Sequence, residues 1–373
     1  MNQWRDLYSA KVAPAARAMR AIRPGARIFI GTGCGQPQML VDELAGNSSD
    51  IIDAEVYHLL TQGTAPYIAE RYSSKFRTCS FFLAPNVREG ITTGRGDYVP
   101  VCISDIPSLF RTGKIPLDVA LIQTSPPDRH GNLSLGISVD IVKSAAENSL
   151  TVIAEVNEKM PRTLGDSFIP VDMVDVVVES DRDILEYQLP EADQAVDAIA
   201  RNVASLIEDG ATVEVGIGNI PQAVLKYLDG KNDIGMHTEM FNDAIVPLVE
   251  RGVINGSRKT INRGKVTASF CYGTKALYDY IHENPFFEFR PSEYVNDPHI
   301  ISQHNKMVAI NVAIEVDMTG QVCSDSIGYD FYSGFGGQLD FNRGASRARN
   351  GKAIIALPST ARNGAISRIV PRL

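Results

Sequence analysis

The sequence predicts two tandem, similar, open α/β domains with mostly parallel sheets, spanning residues 1–189 and 190–373. Three observations point there. A glycine-turn segment occurs twice, Gly25 to Gln38 against Gly210 to Gln222, with one residue more in the first copy. Each copy follows an amphipathic stretch, marked by Val12, Ala15, Ala16, Met19 and Ile22 in the first and by Val196, Ile199, Val203 and Leu206 in the second. Runs that are apolar on both faces, Asp118 to Ile122, Leu150 to Ala154, Met307 to Ile314 and Ala353 to Leu357, read as strands covered on both sides, the mark of parallel sheet. A length of 373 residues and a hydrophobic fraction of 44% suffice for two full cores.

In chain order, Val12 to Ile22 reads as a helix leading into the first glycine turn. A later strand carries Tyr57 and His58 to a place matching Glu239 in the second half. Asp128-Arg-His-Gly131-Asn-Leu-Ser134 is echoed by Asp317-Met-Thr-Gly320-Gln-Val-Cys-Ser324. Asp172 to Glu179 is a Val-rich strand, so the boundary falls near Leu189-Pro190 and a helix starts around Glu191-Ala192. Val213 to Val215 is then a short strand, Gly216-Ile217-Gly218-Asn219-Ile220-Pro221 a turn, and Ala223, Val224, Tyr227 and Leu228 mark a helix. Ile234 to Met236 is the next strand, with His237-Thr238-Glu239 where it ends. Ligands of open α/β sheets sit at the carboxyl ends of strands, so the turn and Glu239 should face one crevice.

The turn needs glycines because backbone amides approach a ligand closely only where no Cβ intervenes. Gly216, Gly218 and Glu239 imitate a dinucleotide-binding fingerprint, but Pro221 stands where its third glycine belongs and cannot supply the close helix-to-strand packing. Glu239 could equally be a solvated strand-end carboxylate; a glycine turn, a His and a Thr beside it, and the lack of a nearby cation argue for a functional group. Gly334-Phe-Gly336-Gly337 marks either a tight turn or a close approach of backbone to a ligand.

Composition excludes several classes. A net charge of −8 without a basic run argues against a nucleic-acid partner. Five cysteines without C-x-x-C pairing read as reduced thiols in a cytoplasm. The six histidines show no metal-ligand spacing, so no metal is expected, and no uniformly apolar window suggests a membrane segment.

Four motifs in order, Gly216-Ile-Gly218-Asn-Ile-Pro221, Gly235-Met-His-Thr-Glu239-Met-Phe, Asn311-x-x-Ile-Glu315-x-Asp-x-x-Gly320-Gln and Gly334-Phe-Gly-Gly337-Gln-x-Asp-Phe, resemble the acetyl-CoA hydrolase/transferase family of CoA-transferases, and within it the 4-hydroxybutyrate and butyrate enzymes. The resemblance implies the CoA-transferase fold with its active site in the interdomain cleft, and a homo-oligomer, a homodimer in particular. It implies Glu239 as nucleophile, with Gly216, Ile217, Gly218, Asn219, Ile220, Gly336 and Gly337 contacting CoA or forming oxyanion sites. It makes Asn296, in Val-Asn-Asp-Pro, an amide donor, and Arg362 a cation near CoA. His58, with Thr61-Gln62-Gly63 at the matching strand end, would line the acyl pocket, or His58 is an ordinary core histidine. The implied activity moves CoA between a short-chain acyl-CoA and a carboxylic acid such as acetate, with CoA as substrate and covalent intermediate and no permanently bound cofactor. An acyl-CoA hydrolase on the same scaffold, or a CoA-binding protein without turnover, stays open. Relatives of this kind continue beyond Leu373 with a glutamate that lies beside the nucleophile, which implies that these 373 residues are a truncated form that folds but transfers CoA poorly.

Overall fold

A computed structural model describes residues 3–46, 51–188 and 193–373. The first half builds β1 (Arg27–Ile30), β2 (Ala54–His58), β3 (Phe76–Ser80), β4 (Gly96–Tyr98), β5 (Leu117–Thr124), β6 (Asn132–Ser134), β7 (Ser149–Asn157), β8 (Phe168–Pro170) and β9 (Val176–Ser180). Seven of these form one sheet in the order β4-β3-β2-β1-β5-β7-β9, parallel throughout, while β6 and β8 make a small antiparallel ladder. The second half builds β10 (Thr212–Val215), β11 (Gly235–Phe241), β12 (Val266–Cys271), β13 (Phe287–Phe289) and β14 (Met307–Val312). Next come β15 (Glu315–Asp317), β16 (Val322–Cys323), β17 (Ser326–Ile327), β18 (Asp330–Phe331) and β19 (Lys352–Ala356). Its main sheet, β13-β12-β11-β10-β14-β19, is also parallel and repeats the first order strand for strand, without a counterpart of β9 among the described residues. The doubled sequence therefore encodes a doubled topology. In consequence β19 lies at the edge of its sheet, whereas the matching β7 is flanked by β9.

The echoed aspartate turns are also the same structure. Asp128 Oδ1 accepts the N–H groups of His130 and Asn132 at 2.8 and 2.9 Å, and Asp317 Oδ1 accepts those of Thr319 and Gln321 at 2.9 and 3.0 Å. Gly131 and Gly320 take φ of +85° and +88°, which glycine adopts without a Cβ penalty.

Several elements depart from expectation. The helix read over Val12 to Ile22 shrinks to Ala15–Ala18 and a 3₁₀ turn at Met19–Ala21, and is parted from a separate helix, Gln3–Lys11, by Pro14, which lacks the N–H that a continuous helix needs. The predicted boundary at Leu189-Pro190 and helix start at Glu191-Ala192 lie outside the described residues. The helix that follows is Gln194–Ser205, capped by the Asp193 side chain accepting from Val196 N.

The two halves are stitched together by main chain. Val139 and Asp140 send their N–H groups to Ser269 O at 3.0 and 3.2 Å, Cys271 N donates to Ile137 O at 2.9 Å, and Asp166 and Phe289 donate at 2.8 Å to Phe289 O and Leu164 O. One apolar core runs through both sheets, from Ala18 to Ala356. A smaller cluster, including Val295, Ile301 and Phe341, fills the space under the helices Pro298–Ser302 and Gln338–Arg347.

Candidate active site

β10 stops at Val215, and the glycine turn turns the chain into the helix Asn219–Leu225. Gly218 takes φ +134° and ψ 169°, a region reserved for glycine, and Gly216 N donates to Ile310 O on β14 at 3.2 Å. Glu239 lies inside β11 and not at its end, because β11 keeps its pairing to β12 as far as Phe241↔Cys271. Glu239 is nevertheless the one step between Met236 and Phe241 without a ladder partner. Its counterpart in register, Ser269, gives its carbonyl to the first domain.

Around the Glu239 carboxyl the contacts are close. Oε2 accepts from Asn296 Nδ2 at 2.7 Å. Asn296 is held at the end of the short helix Ser292–Val295, its own N–H donating to Ser292 O at 2.8 Å. His237 Nε2 is 2.8 Å from Val295 O, and since a carbonyl only accepts, that nitrogen carries the proton. Gly337 presses its Cα against the carboxyl, for a Cβ there would stand 1.9 Å from Oε2. Asp340, in the helix after Gly337, accepts from Ser104 Oγ and N of the first domain at 2.9 and 3.1 Å.

Burial dominates the electrostatics. It pushes Glu239 up to about 7, with the charges of Asp340 and Asp140 adding and the Asn296 amide opposing. Asp340 and Asp140 are themselves raised to about 6, again first by burial.

A cavity of about 210 Å³ opens beside Glu239. Gly216, Ile217, Gly336 and Gly337 line it with Glu239, and Phe82 brings one wall from the first domain. These predicted residues therefore meet, and Asn296 reaches the same carboxyl. Others sit elsewhere. Gly218 caps a helix, Asn219 is exposed and Ile220 is buried. Arg362 is in an exposed hairpin turn at φ +48°, its carbonyl accepting from Ala365 N. His58 is fully buried, its Nδ1 3.2 Å from Ser80 Oγ and its ring 6.1 Å from that of Tyr67; burial pushes it down to about 3. Gly63 N donates to Gln36 Oε1 at 3.2 Å, and Gln62 beside it is half-buried. None of His58, Gln62 and Gly63 lines the cavity at Glu239.

Sequence reasoning gave no role to Glu214 or Asn311, which also line the cavity. The signal for Glu214 was a charge inside the otherwise apolar run Val213 to Val215, a position that parallel packing buries on both faces.

The doubled sheet and the glycine-flanked carboxyl define a CoA-transferase-type protein. The chain belongs to the acetyl-CoA hydrolase/transferase family: the family's N-terminal domain matches residues 1–186 and its C-terminal domain residues 273–373. It is 45% identical over 371 residues to the 4-hydroxybutyrate coenzyme A transferase of Clostridium kluyveri, which takes in 100% of this chain and 86% of that one. Among solved structures, RipA from Yersinia pestis superposes with a TM-score of 0.92 at 34% identity, covering 99% of this chain and 87% of that one. The 4-hydroxybutyrate CoA-transferase of Porphyromonas gingivalis gives 0.86 at 36%, with the same coverage. No helix among the described residues is long and apolar enough to cross a membrane.

Proposed function

We propose that this protein is a CoA-transferase that moves CoA between a short-chain acyl-CoA, of the 4-hydroxybutyryl, butyryl or acetyl type, and a carboxylic acid such as acetate. The observation that carries this reading is the Glu239 carboxyl, buried against Gly337 in a cavity, with Asn296 Nδ2 at 2.7 Å from Oε2.

A carboxylate held out of water is a better nucleophile than a solvated one, and one titrating near 7 is substantially ionised at neutral pH. Glu239 attacks the thioester carbonyl, the C–S bond breaks, and a mixed anhydride and CoA thiolate result. The thiolate then attacks the Glu239 carbonyl, the substrate acid leaves as its carboxylate, and a glutamyl-CoA thioester remains. A second carboxylate runs the sequence backward, so turnover is ping-pong. Asn296 is placed to stabilise the oxyanion on Glu239, and the amides of Gly216–Ile217 and Gly336–Gly337 are the candidates on the substrate side, each donor worth about 3 kcal/mol.

We read the enzyme as cytoplasmic from its five free cysteines, and as a homo-oligomer, which sedimentation tests against the chain mass of 40.7 kDa. Incubation with acetyl-CoA alone, followed by borohydride and peptide mass spectrometry, should mark Glu239. A mark on any other acidic residue overturns the assignment. Thioester consumption that needs added carboxylate separates transfer from hydrolysis.

A further inference from the structure

The internal repeat lets the second domain be read against the first, position by position. Gly31 N donates to Leu121 O at 2.9 Å just as Gly216 N donates to Ile310 O at 3.2 Å. Aligned on these glycines and on the strand registers, Glu214 stands where the first copy has Phe29, Asn311 where it has Ile122, and Glu239 where it has Leu59. All three first-copy residues are buried hydrocarbons. The fold therefore accepts an apolar side chain at the Glu214 position and has no structural need of a carboxyl there. A buried carboxyl costs stability unless its polar atoms are satisfied, so its presence beside Glu239 calls for a function.

The hydrogen bonds of Glu214 are asymmetric. Oε2 accepts from Ile310 N at 2.9 Å and from Asn311 Nδ2 at 3.0 Å, which uses both of its lone pairs. Oε1 has no hydrogen-bond partner among the described residues and lies 3.4 Å from where a Cβ on Gly216 would stand, at the cavity wall.

We propose that Glu214 works as a neutral carboxylic acid whose Oε1–H is a hydrogen-bond donor into the cavity, toward the anion that CoA transfer generates there. With Oε2 committed as an acceptor, the proton of the neutral form has to sit on Oε1. The inference rests on the CoA-transferase reading above and deepens it. The anion met by this donor is in turn an oxyanion, the CoA thiolate and the departing carboxylate; the proton stays on Glu214 throughout, so no step gains or loses one. The surroundings favour the neutral form. The charged group facing Glu214 from β11 is Glu239, β14 presents the neutral Asn311, Asp340 and Asp140 bear on Glu239 behind it, and no Lys, Arg or His among the described residues lines the cavity. Burial first, and then the charge of Glu239, raise the ionisation of Glu214 well above the ordinary carboxylate range, against the hydrogen bonds from Ile310 N and Asn311 Nδ2.

The test is Glu214→Gln, which keeps an acceptor for Ile310 and Asn311 and an N–H donor for the cavity but cannot ionise. At pH 7 it should keep most of the kcat that Glu214→Leu loses, and the alkaline fall of the pH profile, where Glu214 would ionise, should disappear. Glu214→Leu takes the acceptor from Ile310 N and Asn311 Nδ2, so it should melt somewhat lower than the unsubstituted enzyme, and its folded fraction should lose roughly ten- to hundredfold in kcat, the weight of one hydrogen bond to a charged group. A Gln variant that melts normally but loses more than about a hundredfold would make the carboxylate the working form and overturn the proposal. A Gln profile superimposable on the unsubstituted one, or a Leu variant of full activity, would overturn it too. If Glu214→Leu does not fold, the Gln profile decides alone. Peptide mapping of the unsubstituted enzyme keeps the two readings apart: without CoA on Glu239 the transferase assignment fails, whereas CoA on Glu239 with an aberrant Gln variant sinks only the role of Glu214.

Discussion

The two glycine turns have the same place in the same topology and opposite fates. In the first copy, residues 31–36 are all buried. The Tyr272 ring of the second domain lies over Gly33, where a Cβ would come 2.3 Å from a ring carbon, and Thr32 Oγ1 donates to Asp140 Oδ1 at 2.7 Å. In the second copy Gly216, Ile217 and Gly218 are only half-buried and Asn219 is exposed, with the cavity and its two carboxyls alongside. A glycine turn at a strand end is thus not a binding site by itself. Filled by a side chain from the partner domain it is a socket that joins domains; opened to a cavity, with Glu and Asn replacing hydrocarbons on the adjoining strands, it is the candidate site.

The contrast can be broken from either side. Glu239→Ala restores an apolar residue at the position matching Leu59 and should lower CoA transfer by on the order of 10⁴-fold or more, since it removes the proposed nucleophile and with it the proposed covalent route; initial rates with acyl-CoA and acetate measure it, and near-normal rates would place the nucleophile elsewhere. Asn296→Ala should cost about 10² to 10³ in kcat, the usual effect of one lost oxyanion donor. It should also move the pH profile. On the proposed mechanism Glu239 attacks as its anion, so kcat/KM of the unsubstituted enzyme should rise with pH through about 7. Asn296 favours that anion, so without it the acid limb shifts to higher pH. Gly337→Ala pushes a methyl into Glu239 Oε2, and a displacement of about 1 Å should lower kcat by about 10²-fold with the melting temperature little changed. Gly33→Ala tests the socket. Its φ of +61° and the Tyr272 ring both resist a Cβ, so denaturant unfolding should show a loss of about 1–3 kcal/mol while transfer by the folded fraction persists.

Much of this architecture is legible in the residues. The repeat around Gly31 and Gly216 gives the doubled sheet, and the echo of Asp128 in Asp317 turns out to be one turn built twice. Local readings fail where a longer-range partner decides. The extent of β11 is set by its ladder to β12, which a scan of Ile234 to Glu239 cannot see. Pro14, a local signal, does break the first helix. Within the site, Glu239, Gly337 and Asn296 were legible through their motifs. The tie between Asp340 and Ser104 is not, because it joins residues 236 positions apart. Glu214 was visible as a charge in an apolar strand, but its meaning emerges only when Phe29 is set beside it.

The backbone bonds that cross between the halves have a consequence for how the molecule comes apart. Ser269, Cys271 and Phe289, on β12 and β13 of the second sheet, complete their hydrogen bonding only with residues 137–140 and 164–166 of the first half. Severed from that half, the second would be left with orphaned main-chain groups and an opened core, each orphan costing about 1–3 kcal/mol. The two copies are therefore one cooperative unit. Calorimetry should record a single melting event with no surviving half, and slow amide exchange should extend across the seam from Val139 to Cys271. What began in the sequence as a duplication has become, in the folded chain, a pair that cannot be divided.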